Sequence, residues 1–398
     1  MKRRLPPILM TLVLVCALPI WAAFVTSGDV TNPLVSTAWA TLPDLQAKID
    51  AAADNATITL DSNTEIAATL QITKNLTLDL NGYVLKMGGT GRVIHITSSA
   101  EVEIKDGESN RAHTGEYAAL PAGGVITGGK AESGGGILLD GGCTLKLTGG
   151  CITDCRATDT GGGGVDLRGS TAILYISGTA RIENCTAGEM WGANAIFNSG
   201  TMYADGGTVD GTVNNQGTIK RSEGTADMDM TVFNKAVYNR AGKSIEAGIY
   251  KGTVENRGSI TGGTFYGGVT DDGGTIRGGT FAVTFDRGDG TKTEPTLVEW
   301  NGKVSRPTSD PEKSGHTFVG WYLGDALYDF DTPVNAPLTL TARWEEVPSS
   351  DGYYYYPTTD TKTDDTKGSP KTADPGAALY GALALLSLTG LTCTAKKR

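Results

Sequence analysis

From Ala56 onward the chain sets apolar and polar residues in alternation over short runs and closes each run with Gly, Asn, Asp or Ser. Leu76, Leu78 and Leu80 precede Asn81-Gly82, and Ile94 and Ile96 precede Ser98-Ser99. A period of two bounded by turn residues predicts strands of only a few residues each. The segment just before has a different period. Leu42, Leu45, Ile49 and Ala52 share one face of a helix, so a short capping helix should lead into the strands.

The runs recur. Ile137, Leu139, Leu145, Leu147, Ile152 and Cys155 are echoed by Val165, Leu167, Leu174, Ile176, Ile182 and Cys185 at offsets of 28 to 30 residues. Further on the period shortens: Asn198, Asn215, Asn239, Asn256 and Asp272 each close a turn ahead of Met202, Ile219, Ile245, Ile260 and Ile276. Gly-Gly-Thr-apolar units end at Val209, Phe265 and Phe281. A coil of short strands cannot bury its inward side chains alone, whereas stacked coils bury them in continuous ladders. The expected fold is all-β, a right-handed parallel β-helix over 41–280, with Gly and Asn at corners that need left-handed backbone. The stretch Asn75 to Leu85 and the Gly-rich coils resemble the pectate-lyase-like β-helices of bacterial surface proteins.

Composition changes after Phe281, where charge, Pro and Trp increase. Val283-Thr284-Phe285-Asp286, Gly315-His316-Thr317-Phe318-Val319-Gly320-Trp321-Tyr322, Tyr328-Asp329-Phe330 and Leu338 to Trp344 follow in order. Together they resemble an internalin B-type repeat, also called the Listeria-Bacteroides repeat, over 281–345. That resemblance implies a small β-grasp-like module of Gram-positive surface proteins. Phe318, Trp321, Phe330 and Trp344 are its expected core, since large aromatic rings let a short chain bury enough surface to fold. Residues 346–368 are rich in Pro, Ser, Thr, Asp and Lys and read as a disordered linker long enough to thread a cell wall.

Both ends read as addresses. Lys2, Arg3 and Arg4 precede an apolar run from Ile8 to Phe24, and Ala38-Trp39-Ala40 has the small-x-small form of a signal-peptidase site. Residues 1–40 are therefore expected to be a secretory signal cut after Ala40, with a cut after Ala23 or an uncleaved anchor as alternatives. Near the other end, Ser369-Pro370-Lys371-Thr372-Ala373 precedes an apolar stretch from Pro375 to Ala395 and the closing Lys396-Lys397-Arg398. Such a stretch covers about 30 Å as a helix, enough for a bilayer, with the basic triplet kept cytoplasmic. The 369–398 tail resembles a sortase sorting signal, with Ala373 where that signal carries glycine. By that likeness sortase would cut between Thr372 and Ala373 and join Thr372 to peptidoglycan. A plain C-terminal membrane anchor is the alternative, and either route places the protein on the extracellular surface.

Charge narrows the choice of partners. The 398 residues carry 34 Lys and Arg against 44 Asp and Glu, a net −10, and the basic groups at the two ends leave the middle more acidic still. A nucleic-acid partner is not expected, because phosphate binding needs clustered Lys and Arg. The 55 glycines follow no triplet period, which excludes collagen.

Catalytic chemistry on a β-helix would need paired carboxylates in one groove, or an acidic cation site beside a basic residue. Asp271-Asp272 is the adjacent Asp pair before residue 300, and it reads as a solvent-facing corner where the preceding coil carries Glu255-Asn256. His95, between Ile94 and Ile96, should face outward, and His113 lies in a polar insertion over 106–134. Cys143, Cys151, Cys155 and Cys185 have no CxxC spacing, so no zinc site is expected. Cys155 and Cys185 hold equivalent repeat positions about 5 Å apart and would form a stacked thiol pair or a disulfide. No catalytic, cofactor or metal residue is assigned. The expected function is a cell-wall-anchored, adhesin-like or structural protein that binds a glycan or protein ligand through the β-helix. A surface polysaccharide lyase or glycoside hydrolase is the alternative.

Overall fold

A computed structural model describes residues 42–347, save 189–192, 225 and 227–228. The signal and sorting segments, with Ala38, Ala40, Ser369, Pro370, Lys371, Thr372 and Ala373, lie outside the described residues. The helix Leu42–Ala51 comes first and buries Leu45 and Ile49 against the first coil, so its apolar face covers a sheet edge that would otherwise be open.

After the helix the chain winds in coils whose strands pair in parallel with the coils before and after. Three stacks result. The first runs from Ala56–Thr59 through Leu76–Asp79, Glu101–Lys105 and Thr144–Leu147 to Thr275–Ile276. The second runs from Thr64–Ile66 through Val84–Met87, Val125–Thr127 and Cys151–Thr153 to Thr280–Asp286. The third is a nine-stranded sheet from Leu70–Ile72 to Val269–Asp271. Two long strands, Ile173–Glu183 and Thr201–Asp210, pass through both the first and second stacks and join them into one bent sheet. Parallel pairing without crossover helices makes this an all-β, β-helix-like fold.

The alternating sequence pattern explains the stacking. In the second stack the inward column is Leu85, Ile126, Ile152, Ile182, Val209, Phe233, Tyr250, Phe265 and Phe281, all buried and in register. Its last four rings stack with centroids 4.9 to 5.3 Å apart, close to the strand spacing of about 4.8 Å. All the repeat echoes between 137 and 182 fall in register, with Ile137 on Val165, Leu145 on Leu174 and Ile152 on Ile182. Segment 106–134, read as an insertion, contributes the in-register strand Val125–Thr127. Its loop buries Tyr117 over Val84, Val125 and Cys151 on the outer face.

Turns behave as expected at Asn81-Gly82, where φ is 48° and 75°. The later asparagines do not. Asn198, Asn215, Asn239 and Asn256 are buried and have no left-handed backbone; they occupy the inward column of the third stack, where earlier coils carry Ile96, Leu139 and Leu167. Each Nδ2 donates to the next Oδ1, at 2.7, 2.9 and 2.8 Å, and the final donation runs from Asn256 to Asp271 at 3.1 Å. The residue in register is Asp271, so the alignment of Asp272 with these asparagines is off by one; Asp272 instead pairs with Arg257 at 2.6 Å.

Coils approach closely at glycine. A Cβ on Gly217 would lie 1.9 Å from the Gly200 carbonyl oxygen. Gly217→Ala should therefore lower the unfolding free energy by about 1–3 kcal/mol, read as a drop in the urea midpoint; an unchanged midpoint would show that the backbone yields freely there.

Thr280–Asp286 ends the second stack and begins the C-terminal module. It pairs in parallel with Thr264–Phe265, antiparallel with Thr296–Glu299 and in parallel with Leu338–Glu346. His316–Leu323 adds to the far side of Leu338–Glu346, and Ala326–Leu327 turns back on it. The module's core is an edge-to-face chain from Phe285 through Trp321 and Phe318 to Trp344. Trp321 is 3% exposed, so it is a core residue and not a surface platform.

Candidate binding groove

The bend between the first and second stacks leaves a concave trough along the coil axis. On one wall the outward column runs Tyr175, Tyr203 and Lys220, with Glu246 and Thr261 next to the following in-register pairs. Tyr175 and Tyr203 stack at 4.3 Å, and the Lys220 ammonium sits 4.8 Å from the Tyr203 ring centre. Thr264 and Thr280, paired in register, face out from the other wall. The corners between the walls are Gly262-Gly263 and Gly278-Gly279.

The trough holds a cavity of about 430 Å³, closed at the module end by Glu299 and the half-buried Trp300 and lined on its walls by Arg221 and Glu246. The backbone at Trp300 is fixed there by its amide N–H, which donates to the Gly279 carbonyl at 2.8 Å. A second cavity of about 500 Å³ lies on the other side of Met230, between Gly178–Arg181 and Asp205–Thr208. An aromatic ring, hydroxyls and carboxylates in one concavity can stack on and hydrogen-bond a polar ligand.

A second polar cluster lies on the outer face of the third stack. His95 does face outward, as the alternation predicts, and its Nε2 lies 2.9 Å from Asp140. Asp166 is buried nearby, and that burial raises its carboxyl above the usual range against the pull of Ser133, Arg168 and Arg92. Arg168 donates to Ser133 Oγ at 2.9 Å, and Arg92 to the Ser133 carbonyl at 3.3 Å. These contacts pin the loop around Ser133 onto the sheet, so the cluster serves as a clasp. His113 meets the Gly123 carbonyl, at 2.8 Å.

The four cysteines are free and buried. Cys155 and Cys185 meet through their thiols on adjacent coils, and that contact together with burial raises the Cys155 thiol well above its ordinary value. Of the two alternatives the sequence leaves open, the described state is the stacked thiol pair. Cys151 lies on the outer face under Tyr117, and burial raises its thiol as well. Among the described residues no group of three or more His, Cys, Asp or Glu could hold a metal ion, and no helix is long and apolar enough to cross a membrane.

The module's aromatic chain and its shared strand are what the comparisons with known proteins bear on. Residues 281–343 match the Listeria-Bacteroides repeat domain. This repeat occurs in surface proteins. Two curated proteins of Evansella cellulosilytica are similar to the chain over 67 residues, 16% of its length. One, named "Putative membrane protein", is 34% identical with 10% of its own length covered; the other, named "Putative Gly-rich membrane protein", is 36% identical with 8% covered. The chain thus spans a tenth or less of the curated relatives it matches. No solved structure matches it.

No local pattern singles out Trp300 as a site residue. It follows Leu297, Val298 and Glu299 at the parity of the buried Val298, which would place it in the core. Its site depends on where Thr296–Glu299 pairs, a long-range fact.

Proposed function

We propose that this is a cell-wall-anchored surface protein whose β-helix displays an adhesin-like groove for an extended ligand, a glycan or a protein segment. The observation that carries the reading is the trough ending at Trp300, set beside a repeat that occurs in surface proteins. Under it the coils wind right-handed, as in pectate-lyase-like β-helices, and the repeat is β-grasp-like; parallel pairing of successive coils and the two parallel central strands of the module support both. Sortase would cut between Thr372 and Ala373 and attach Thr372 to peptidoglycan after the signal is removed at Ala38-Trp39-Ala40.

Trp300→Ala in the full chain is expected to weaken binding to immobilised glycans and surface extracts by tenfold or more, about 1.4 kcal/mol, with the circular dichroism unchanged. Equal binding by both forms would refute the groove. Wall digests should yield a peptide ending at Thr372 and linked to peptidoglycan, whereas an intact Ala373 to Arg398 tail would point to a plain membrane anchor.

Glu246 and Glu299 line the same cavity as Arg221, and this favours glycoside hydrolysis as the second reading, with one carboxyl as acid and the other as base or nucleophile. Release of reducing ends that disappears in Glu246→Gln or Glu299→Gln would support it; its absence leaves the binding reading.

A further inference from the structure

A second surface lies outside the trough, at the tip of the hairpin that joins Thr280–Asp286 to Thr296–Glu299. There the chain reads Asp286-Arg287-Gly288-Asp289-Gly290. We propose that Arg287-Gly288-Asp289 is an adhesion site for an integrin-type receptor, one that grips the guanidinium with carboxylates and takes the Asp289 carboxylate through a bound divalent cation. The inference rests on the surface location proposed above and is independent of the trough.

Presentation gives the first argument. The Thr293 N–H donates to the Phe285 carbonyl at 2.9 Å and the Arg287 N–H to the Thr291 carbonyl at 3.0 Å, with Lys292 and Asp286 paired at 3.4 Å between these rungs. Only Gly288, Asp289 and Gly290 lie beyond the last rung. Two side-chain turns stiffen this tip. Asp286 Oδ1 accepts from the Gly288 N–H at 2.9 Å, and Asp289 Oδ1 accepts from the Thr291 N–H at 2.8 Å and from its hydroxyl at 2.6 Å. From the aromatic core, the Trp344 indole N–H donates to the Arg287 carbonyl at 2.9 Å. A tip pinned in this way loses little freedom when it binds.

Chemistry gives the second. Residues 287–290 are all exposed, and the Arg287 guanidinium has no hydrogen bond or ion pair among the described residues. Its N–H fork is open to a bidentate carboxylate. Asp289 commits Oδ1 to Thr291, which holds its carboxyl below the usual range, and leaves Oδ2 for a hard cation, whose natural ligand is a carboxylate oxygen. Gly288 separates the two at φ 72°, a left-handed backbone that glycine adopts without steric cost, and a Cβ there would lie 3.2 Å from the Ala342 carbonyl oxygen. Opposite charges on either side of one glycine, both left to solvent, make a two-point ligand.

The test measures binding of the full chain to the purified ectodomain of an integrin that reads Arg-Gly-Asp, by surface plasmon resonance in manganese buffer. Binding is expected, and it should vanish on chelation of the manganese or in excess linear Arg-Gly-Asp peptide. Asp289→Glu keeps the charge but moves the carboxylate by one methylene, and Arg287→Ala removes the fork; each should weaken binding by about tenfold or more, with the circular dichroism unchanged. Trp300→Ala should bind this receptor as the parent does. Equal binding by the parent and Asp289→Glu, or binding that survives chelation, assigns the contact to another surface and overturns the inference. Absence of binding by the parent overturns it too, while the wall digests and the glycan arrays decide the surface location and the trough separately.

Discussion

Phe265→Ala should lower the unfolding free energy by about 3–5 kcal/mol, the largest effect expected of any single truncation in the rod. Phe265 is fully buried and stacks on Tyr250 at 4.9 Å and on Phe281 at 5.3 Å, so its removal opens a void between two rings that the parallel backbone spacing holds apart. Relaxation is limited, because both neighbours are tied in register to the coils beyond them. Urea unfolding followed by tyrosine and tryptophan fluorescence measures the loss. A shift of less than 1 kcal/mol would mean that the rings are loosely packed and the ladder contributes little.

Asn239 gives the second. Its Nδ2 donates to Asn256 Oδ1 at 2.8 Å, and its Oδ1 accepts from Asn215 at 2.9 Å, all within the core. Asn239→Ala leaves a buried donor and a buried acceptor short of a partner and should cost about 2–4 kcal/mol. Asn239→Asp makes the outcome depend on pH. The carboxylate cannot donate, faces Asn256 Oδ1 and is buried, so its folded pKa is raised above the unfolded value of about 3.9. Stability is then fullest below about pH 4, where the carboxyl is protonated in both states, and falls as pH rises toward the folded pKa. Parallel melts at pH 3.5 and pH 7 check this, and a variant equally stable at both would rule out a solvent-excluded ladder.

The rod was legible from residue order wherever a local pattern decides the structure. The helix ahead of the strands, the echoes from Ile137 to Ile182 and the aromatic core around Trp321 all rest on spacing that survives folding unchanged. What the pattern hid was the direction of polar side chains. An asparagine two residues ahead of a glycine looks like a corner, and only the register with Leu167 shows Asn198 pointing inward. Phe233 and Tyr250 also escaped the Gly-Gly-Thr echo, although they fill the column between Val209 and Phe265. The trough was hidden for a different reason. It depends on a bend within Ile173–Glu183 and on Thr296–Glu299 bringing Trp300 back to Gly279, and neither is a local property.

The amide row ends where Asp271 stands in place of a fifth asparagine, on the last strand of the nine-stranded sheet. An amide there would hold out a spare N–H beyond the final rung and invite another molecule to continue the series. A carboxylate has no proton to offer and repels its own kind, a common guard on open strand edges. Fibre growth is thus discouraged along this sheet, and a single atom's difference, oxygen for nitrogen, sets where the column stops.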